Sequence, residues 1–389
     1  MSHPTTQQEA SIGEYAFQMF EEHNLDGILM MIQQLLNQAM IVQRQQHLQA
    51  KPYERTEERT DYANGFKPRK FNTRMGKVDL AVPQTRSGEF KPGFWDRYQR
   101  SEKALFTAMS QMYIQGVSTR KVTKVLEDLC GLEVSSSQVS IINSKLDETL
   151  KQWRDRGLEE MPYILLDATY KDVRVDGRVR SCALLTAYGI DKSGKRRCIG
   201  IDVSLSEAEV YWRSFLLGLV KRGLCGVVQI TSDSHAGLKA AIKTVFNGAE
   251  WQRCQFHIQG NAADHVPKKA MKEDVADEIR SIFNANDKDS ANLLLQRMVT
   301  KYEEPHPKLA LWLEENIPES LSVFNRPKST WKKLRTSNMV ERQNREFVRR
   351  MRVVSIFPNE ESLLRLASAI SLEQDEVWMT SGKAYVKIT

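Results

Sequence analysis

Cysteine is scarce in this sequence. Among 389 residues there are five, Cys130, Cys182, Cys198, Cys225 and Cys254, an odd number at irregular spacing. Such usage argues against a disulfide framework and fits reduced thiols in a cytoplasm. Long apolar runs are missing too. The nearest approach, Gly27–Ile32, falls far short of the roughly 18 residues a membrane span needs. The opening MSHPTTQQEAS lacks the basic-then-apolar order of a secretory leader, so a cytoplasmic location is expected. No internal repeat or low-complexity tract is visible. What remains is globular in character: 41% hydrophobic and 27% charged residues, over a length suited to two to four domains.

Acid is what one stretch lacks. Between Lys328 and Arg352 nine basic residues face only Glu341 and Glu346, an excess equal to the formal +7 of the whole chain. A localised basic patch is what a polyanion partner calls for. Its core, TSNMVERQNREFVRRMRVV from Thr336 to Val354, reads as a helix with Glu341 set among arginines. At about 100° per residue, Val340, Phe347, Met351 and Val354 share a buried side, with Asn338, Glu341, Arg345, Arg349 and Arg352 on the adjoining face. An ion-paired surface helix accounts for this pattern as well as a functional one does.

Elsewhere the pattern changes several times. Residues 11–50 are rich in Leu, Met, Gln and Glu without proline, and predict helix. Residues 51–100 carry recurrent Gly and Pro and short alternating pieces such as KVDLAVP, which predict strands or extended arms. Basic and aromatic residues interleave there (Phe66, Lys67, Arg69, Lys70, Phe71, Arg74, Phe94, Trp95, Arg97, Tyr98, Arg100), as on a nucleic-acid contact surface or merely a small solvated subdomain. Residues 101–150 predict three helices. Gly116 ends the first, Ser118 caps the second, Gly131 ends that one, and the third begins after Ser135–Ser136. A helix-turn-helix module and an ordinary three-helix unit both fit.

From Pro162 the order is β-β-β-α-β-α-β, which implies a mixed sheet with helices on its faces. Ser206 to Glu209 matches a capping box at the first of these helices. About eighty helical residues follow Cys254, broken at Pro305–Pro307 and Pro318–Pro327; a last helix is expected over about Glu361–Glu376. YILLD and VVQITSD each end a buried-strand run with an acid, Asp167 and Asp233. Strand-end aspartates are common turn residues. Two at neighbouring strand ends repel unless a cation lies between them, and oxygen-rich sites of this kind suit Mg²⁺ and phosphoryl transfer. Glu341, at the edge of its helix's buried stripe, is placed to supply a third carboxylate.

Four blocks then carry a family resemblance: LLDATYKDVRVDGRVRSCALLTAYGID with Asp167, ITSDSHAGLKAAI with Asp233, WQRCQFHIQGN, and RTSNMVERQNREFVRRMRVVSIFPN with Glu341. Upstream, NGF…TRMGKVDLAVPQTRSGEF adds a fifth. Together they resemble the mutator-type transposases of bacterial insertion sequences, DDE enzymes whose catalytic domain is ribonuclease-H-like. The acids stand 66 and 108 positions apart along the chain, 167 to 233 and 233 to 341, the long gap resembling the family's all-helical insertion before the glutamate.

The resemblance implies an α/β catalytic domain over 160–255 and 330–380, the insertion at 256–329, and mainly helical DNA-binding regions before them. Those regions are 1–60, a small extended subdomain at 61–100 and the three-helix module at 101–155. It implies two Mg²⁺ ions (Mn²⁺ as substitute) on Asp167, Asp233 and Glu341. Water would cut the element's ends, and the freed 3′-hydroxyl would attack target DNA with no covalent protein–DNA intermediate. Arg335, Asn338, Arg342, Asn344, Arg345, Arg349, Arg350 and Arg352 are then expected to hold double-stranded DNA, both terminal inverted repeats and target. At least a dimer is needed to pair two ends, in a bacterial, nucleoid-associated setting. Trp251, Cys254 and His257 are auxiliary: two ligands do not make a zinc site, and Cys225, His235 and His265 are possible further partners that nothing in their spacing requires. Trp251 reads as core or as a base-stacking residue. A catalytically silent, transposase-derived DNA-binding regulator is the alternative, against which the three acids argue. A nuclease without strand transfer also carries such acids.

Overall fold

A computed structural model describes residues 12–24, 27–94 and 101–387. Trp95, Arg97, Tyr98 and Arg100 of the basic-aromatic stretch lie outside the described residues. The chain divides into two units, one ending at Asn143 and the other running from Ser144 to Thr389.

The first unit begins with α1 (Ile12–His23) and α2 (Gly27–Leu48), and continues with an antiparallel hairpin of β1 (Ala63–Thr73) and β2 (Gly76–Thr85). Every second residue of β2, Val78, Leu80 and Val82, is buried with Phe71 against Met40 of α2, the period-2 pattern that KVDLAVP predicts. Three helices follow: α3 (Lys103–Ile114), α4 (Thr119–Cys130) and α5 (Ser136–Ser144). Ser118 caps α4 by accepting from Lys121 N, and Gly131 ends it at φ +60°, a left-handed conformation that glycine adopts without strain. A reciprocal capping box opens α5, in which Gln138 N donates to Ser135 Oγ and Ser135 N to Gln138 Oε1. The predicted third helix is in fact two. It breaks at Lys145, and α6 (Leu146–Asp155) falls in the second unit, where its Asp147 pairs with Arg365 at 2.6 Å.

The second unit is built on a five-stranded sheet in the order β5-β4-β3-β6-β7. Its strands are β3 (Tyr163–Val175), β4 (Arg178–Ile190), β5 (Arg196–Ser204), β6 (Gln229–Ser232) and β7 (Glu250–Arg253), with α7 (Glu209–Lys221) and α8 (Ala236–Val245) between the last three. The first three strands pair antiparallel, while β6 and β7 run parallel to β3 and to each other. The predicted strand and helix order therefore holds. The predicted capping box at Ser206 does not. The N-cap is Ala208, with no side-chain cap bond, and Ser206 Oγ accepts only from Ala208 N at 3.3 Å in a local turn.

Alternation along β3 sorts its residues to two cores. Ile164 and Leu166 pack with Trp212, Leu216, Leu238 and Ile242 of α7 and α8. Tyr163 and Leu165 pack on the opposite face, in a core shared with the later helices. Those are α9 (Gln255–His265), α10 (Lys272–Phe283), α11 (Lys288–Glu303), α12 (Pro307–Asn316), α13 (Lys328–Leu334), α14 (Asn338–Met351) and α15 (Glu360–Thr380). Proline breaks the run as predicted, with Pro307 opening α12 and Pro327 standing as N-cap of α13. Asp167 has the parity of Leu165, so its side chain belongs to the face that α14 covers.

Candidate functional site around Asp167

Asp167 is not at a strand end. It sits inside β3, paired with Thr186 of β4, whose Oγ1 donates to the Asp167 carbonyl at 3.1 Å. What ends nearby is the parallel pairing with β6, whose last matched pair is Leu165 with Thr231. That register joins positions 66 apart, as in Tyr163 with Gln229. Asp233 follows Asp167 by the same 66, so it stands where the register would match it to Asp167, one residue past the end of β6. The spacing of the two acids along the chain thus equals the offset of the β3–β6 pairing.

Anchors at both ends fix α14 across this point. Before the helix, Thr231 Oγ1 donates to Leu334 O at 2.7 Å, Gln255 N to Arg335 O at 3.0 Å, and Ser337 N to Cys254 Sγ at 3.3 Å. After it, Phe357 N donates to Asp172 O and Arg174 N to Phe357 O, which bridges the chain to the outer half of β3. Val340, Phe347 and Met351 are buried, as the helical pattern predicts, and Met339, which it does not include, is buried too. Val354 is only half-buried and lies past the helix end at Met351.

Ser337, Glu341 and Asn344 follow one another at helical spacing along one side of this segment. Ser337 touches Cys254, and Asn344 Nδ2 donates to Asp167 Oδ2. Glu341 lies between them on the same side of the segment. Its Oε1 is buried and accepts no hydrogen bond from any described residue, and Asn344 Oδ1 is buried and unpartnered in the same way. Burial raises the Asp167 carboxyl to about 6, against the lowering influence of His257 and Asn344. A buried carboxylate oxygen without a donor is costly, and a divalent cation is the partner that hard oxygen ligands of this kind suit. Among the described residues, no three His, Cys, Asp or Glu side chains lie close enough together to ligate one ion as they stand. The donor chemistry fits a divalent ion; joint ligation requires the side chains to turn inward.

Cys254 and His257 form a second layer of the same site. Cys254 is fully buried at the N-terminus of α9, where Cys254 N donates to Ser232 O at 2.8 Å and Sγ lies 3.2 Å from Ser337 Oγ. Burial alone would raise the thiol, but its bonds to His257 and Ser337 hold it below the ordinary value. The bond to Cys254 in turn raises His257 to about 9, helped by the charges of Cys254, Asp233 and Asp167 and opposed by burial. The imidazole Nδ1 lies 3.9 Å from Asp233 Oδ1. Of the other residues weighed as ligands, His265 stacks on Trp312 at 5.0 Å, His235 stands at the N-cap position of α8 without a side-chain cap bond, and Cys225 is exposed. Trp251 is half-buried, its Nε1 donating to Ser232 Oγ at 2.9 Å, with Lys239 over its ring.

The residues expected to hold DNA separate into groups. Arg342, Arg345 and Arg352 are exposed and have no ion-pair partner among the described residues, and Asn338 is exposed beside them. Arg349 is exposed but pairs with Glu346 at 2.8 Å. Arg350 is largely buried and pairs with Glu373 of α15, and Arg335 donates to Phe283 O and Asn284 Oδ1 at the end of α10. Both tie helices together. Asn344 belongs to the carboxylate site. Ser337 and Thr186 were not singled out from the sequence, which gives no sign of bonds made across the fold.

Residues 5–381 match the model of the Mutator family of transposases. The chain belongs to that family. Among mutator-family relatives, the transposase for insertion sequence element IS406 from Burkholderia multivorans is 49% identical over 375 residues, covering 96% of both chains. The transposase for ISRM5 from Rhizobium meliloti is 43% identical, over 92% of this chain and 90% of its own. That for IS256 in transposon Tn4001 from Staphylococcus aureus is 38% identical, over 90% and 91%. No helix among the described residues is long and apolar enough to cross a membrane.

Proposed function

We propose that this chain is an insertion-sequence transposase that cuts and joins DNA by direct phosphoryl transfer at Asp167, Asp233 and Glu341. The observation that supports the reading is that the β3–β6 offset matches the spacing of the two aspartates, while α14, pinned at both ends, sets Asn344 against Asp167 with the unpartnered Glu341 one turn before it. The strand order and the mixed pairing support a ribonuclease-H-like assignment for the sheet. Divalent ions, Mg²⁺ or Mn²⁺, bound at the three carboxylates supply a more acidic water and charge stabilisation for an in-line displacement.

The protein's own residues do the rest. Asn344 fixes the orientation of the Asp167 carboxyl, and His257 steadies Asp233. Arg345 and Arg352, exposed on and just after α14, hold phosphates of the strand being cut. The capped pair α4 and α5, with Ser136, Ser137 and Gln138 exposed at the start of α5, suits a helix-turn-helix reader of the terminal inverted repeats. Pairing two ends requires at least two copies of the chain.

The test is end cleavage and joining on labelled duplexes carrying the DNA that flanks the gene, with Mg²⁺, with Mn²⁺ and with chelator. Divalent-dependent cleavage followed by joining of a free 3′-hydroxyl is expected. Cleavage without joining would reduce the reading to a nuclease. Undiminished activity in chelator, or a protease-sensitive protein–DNA adduct, would overturn it.

A further inference from the structure

We propose that a cavity on the flank of α14, lined by Arg196, Lys332, Lys333, Arg342 and Tyr385, binds a backbone phosphate of the DNA strand next to the one being cut. The proposal rests on the transposase reading and adds a grip outside the carboxylate site. The cavity measures about 360 Å³, and no acid is among its lining residues. None of its four cations has a carboxylate partner among the described residues. Aromatic rings hold two of them instead. The Arg196 guanidinium lies 4.5 Å from the Trp378 ring centre and 4.8 Å from that of Tyr385, and Lys333 Nζ lies 4.7 Å from Tyr385. Cation–π contacts fix position without neutralising charge, so the positive potential stays available to an anion.

The position of Tyr385 is itself built into the fold. Tyr385 N and Val386 N both donate to Gly194 O, and a side chain at Gly194, whose φ is +77°, would collide with Val386 O. The chain end thus returns to the β4–β5 turn and closes one wall of a basic pocket. The site of the pocket points to DNA rather than to a free anion. Asn338 and Arg342 line it from the first turns of α14, and Arg342 directly follows Glu341. A helix is about 10–12 Å across, so a phosphate held here is only a nucleotide or two from a phosphodiester at the carboxylates. Duplex and single strand share the phosphodiester, and a set of cations without acid partners suits a backbone contact with either.

The experiment is a salt titration of duplex binding by fluorescence anisotropy, using the full chain and the flanking-DNA duplex. Each phosphate contact contributes about 0.9 to the slope of log affinity against log salt. Lys332→Gln with Lys333→Gln is expected to make the slope shallower by about 2, with thermal midpoint unchanged because both lysines are exposed. Tyr385→Phe keeps the ring and should match wild type, whereas Arg196→Gln should lower the slope like a lysine variant. If Arg196→Gln fails to fold, the lysine pair decides. A wild-type slope in the lysine pair would overturn the pocket, as would protection of both lysines from acetylation by inorganic phosphate and not by the duplex. Failure of the wild-type chain itself to bind the duplex would instead remove the transposase reading.

Discussion

Asp167→Asn is expected to lower end cleavage and joining by about 10³-fold, roughly the several kcal/mol that a bound divalent ion contributes to the displacement. Duplex affinity should stay within about twofold of wild type, since Asp167 is covered by α14 and bonded by Asn344 rather than offered to the DNA surface. The same substitution should make the protein more stable in chelator at neutral pH. Burial raises Asp167 from 3.8 to about 6, so the folded chain holds a proton there that the unfolded chain has already released. The stabilisation from that proton is complete below pH ~4 and is lost as pH rises through ~6. At pH 7 the ionised carboxylate is a net cost of about 2–3 kcal/mol at ~1.4 kcal/mol per unit, which asparagine removes. Denaturation midpoints of wild type and Asp167→Asn should therefore separate at pH 7.5 and draw together at pH 5. Equal midpoints at both pH values would show that Asp167 is not held against its ionisation, and undiminished joining would remove it from the chemistry.

The second large effect concerns the helix that closes the fold. Asp375 of α15 is buried, accepts from Cys198 N at 2.9 Å, and pairs with Arg156 at 3.0 Å and Arg197 at 3.7 Å. Arg156 also donates to Cys198 O, and Arg222 donates to Arg156 O at 2.9 Å and Ile199 O at 2.8 Å. One carboxylate thus joins α15, the β5 edge and the segment entering β3. Removing a single partner from a buried pair leaves charge unpaired, at a typical cost of 3–5 kcal/mol. Asp375→Ala should lower the unfolding free energy by that amount, and Asp375→Asn by less, because asparagine still accepts from Cys198 N. An unfolding free energy for Asp375→Ala within about 1 kcal/mol of wild type would mean that the arginines find water when the acid is gone.

How much of this was legible in the sequence depended on whether the cause was local. The strand order, the Ser118 cap and the Gly131 stop follow from residues a few positions apart, and the structure has them. The supposed cap at Ser206 failed because a capping-box pattern also fits a turn just before the helix, and here the chain enters at Ala208. Asp167 looked like a strand end because YILL stops being apolar there; β3 in fact continues to Val175 as a half-exposed strand paired with β4. Its significance lies in where β6 stops, a long-range fact that only the 66-residue spacing hints at. The arginines were the least legible. Arg345 and Arg350 are equivalent letters in the same run, yet one is exposed and the other is largely buried against Glu373. Nothing within one helix distinguishes an arginine that binds a helix from one that faces solvent. Asn344 was similarly placed in the right block but with DNA rather than with Asp167 as its partner.

The central claim is that strand β3, the turn just after β6 and helix α14 contribute one carboxylate each to a single cation site. Calorimetric titration of Mn²⁺ into the full-length protein, repeated with Asp167→Asn, Asp233→Asn and Glu341→Gln, addresses it most directly. Saturable binding by wild type, lost or strongly weakened in each of the three variants, is the predicted result. Wild-type Mn²⁺ binding by a folded Glu341→Gln protein would contradict it, and would return that helix to the role of an ion-paired surface.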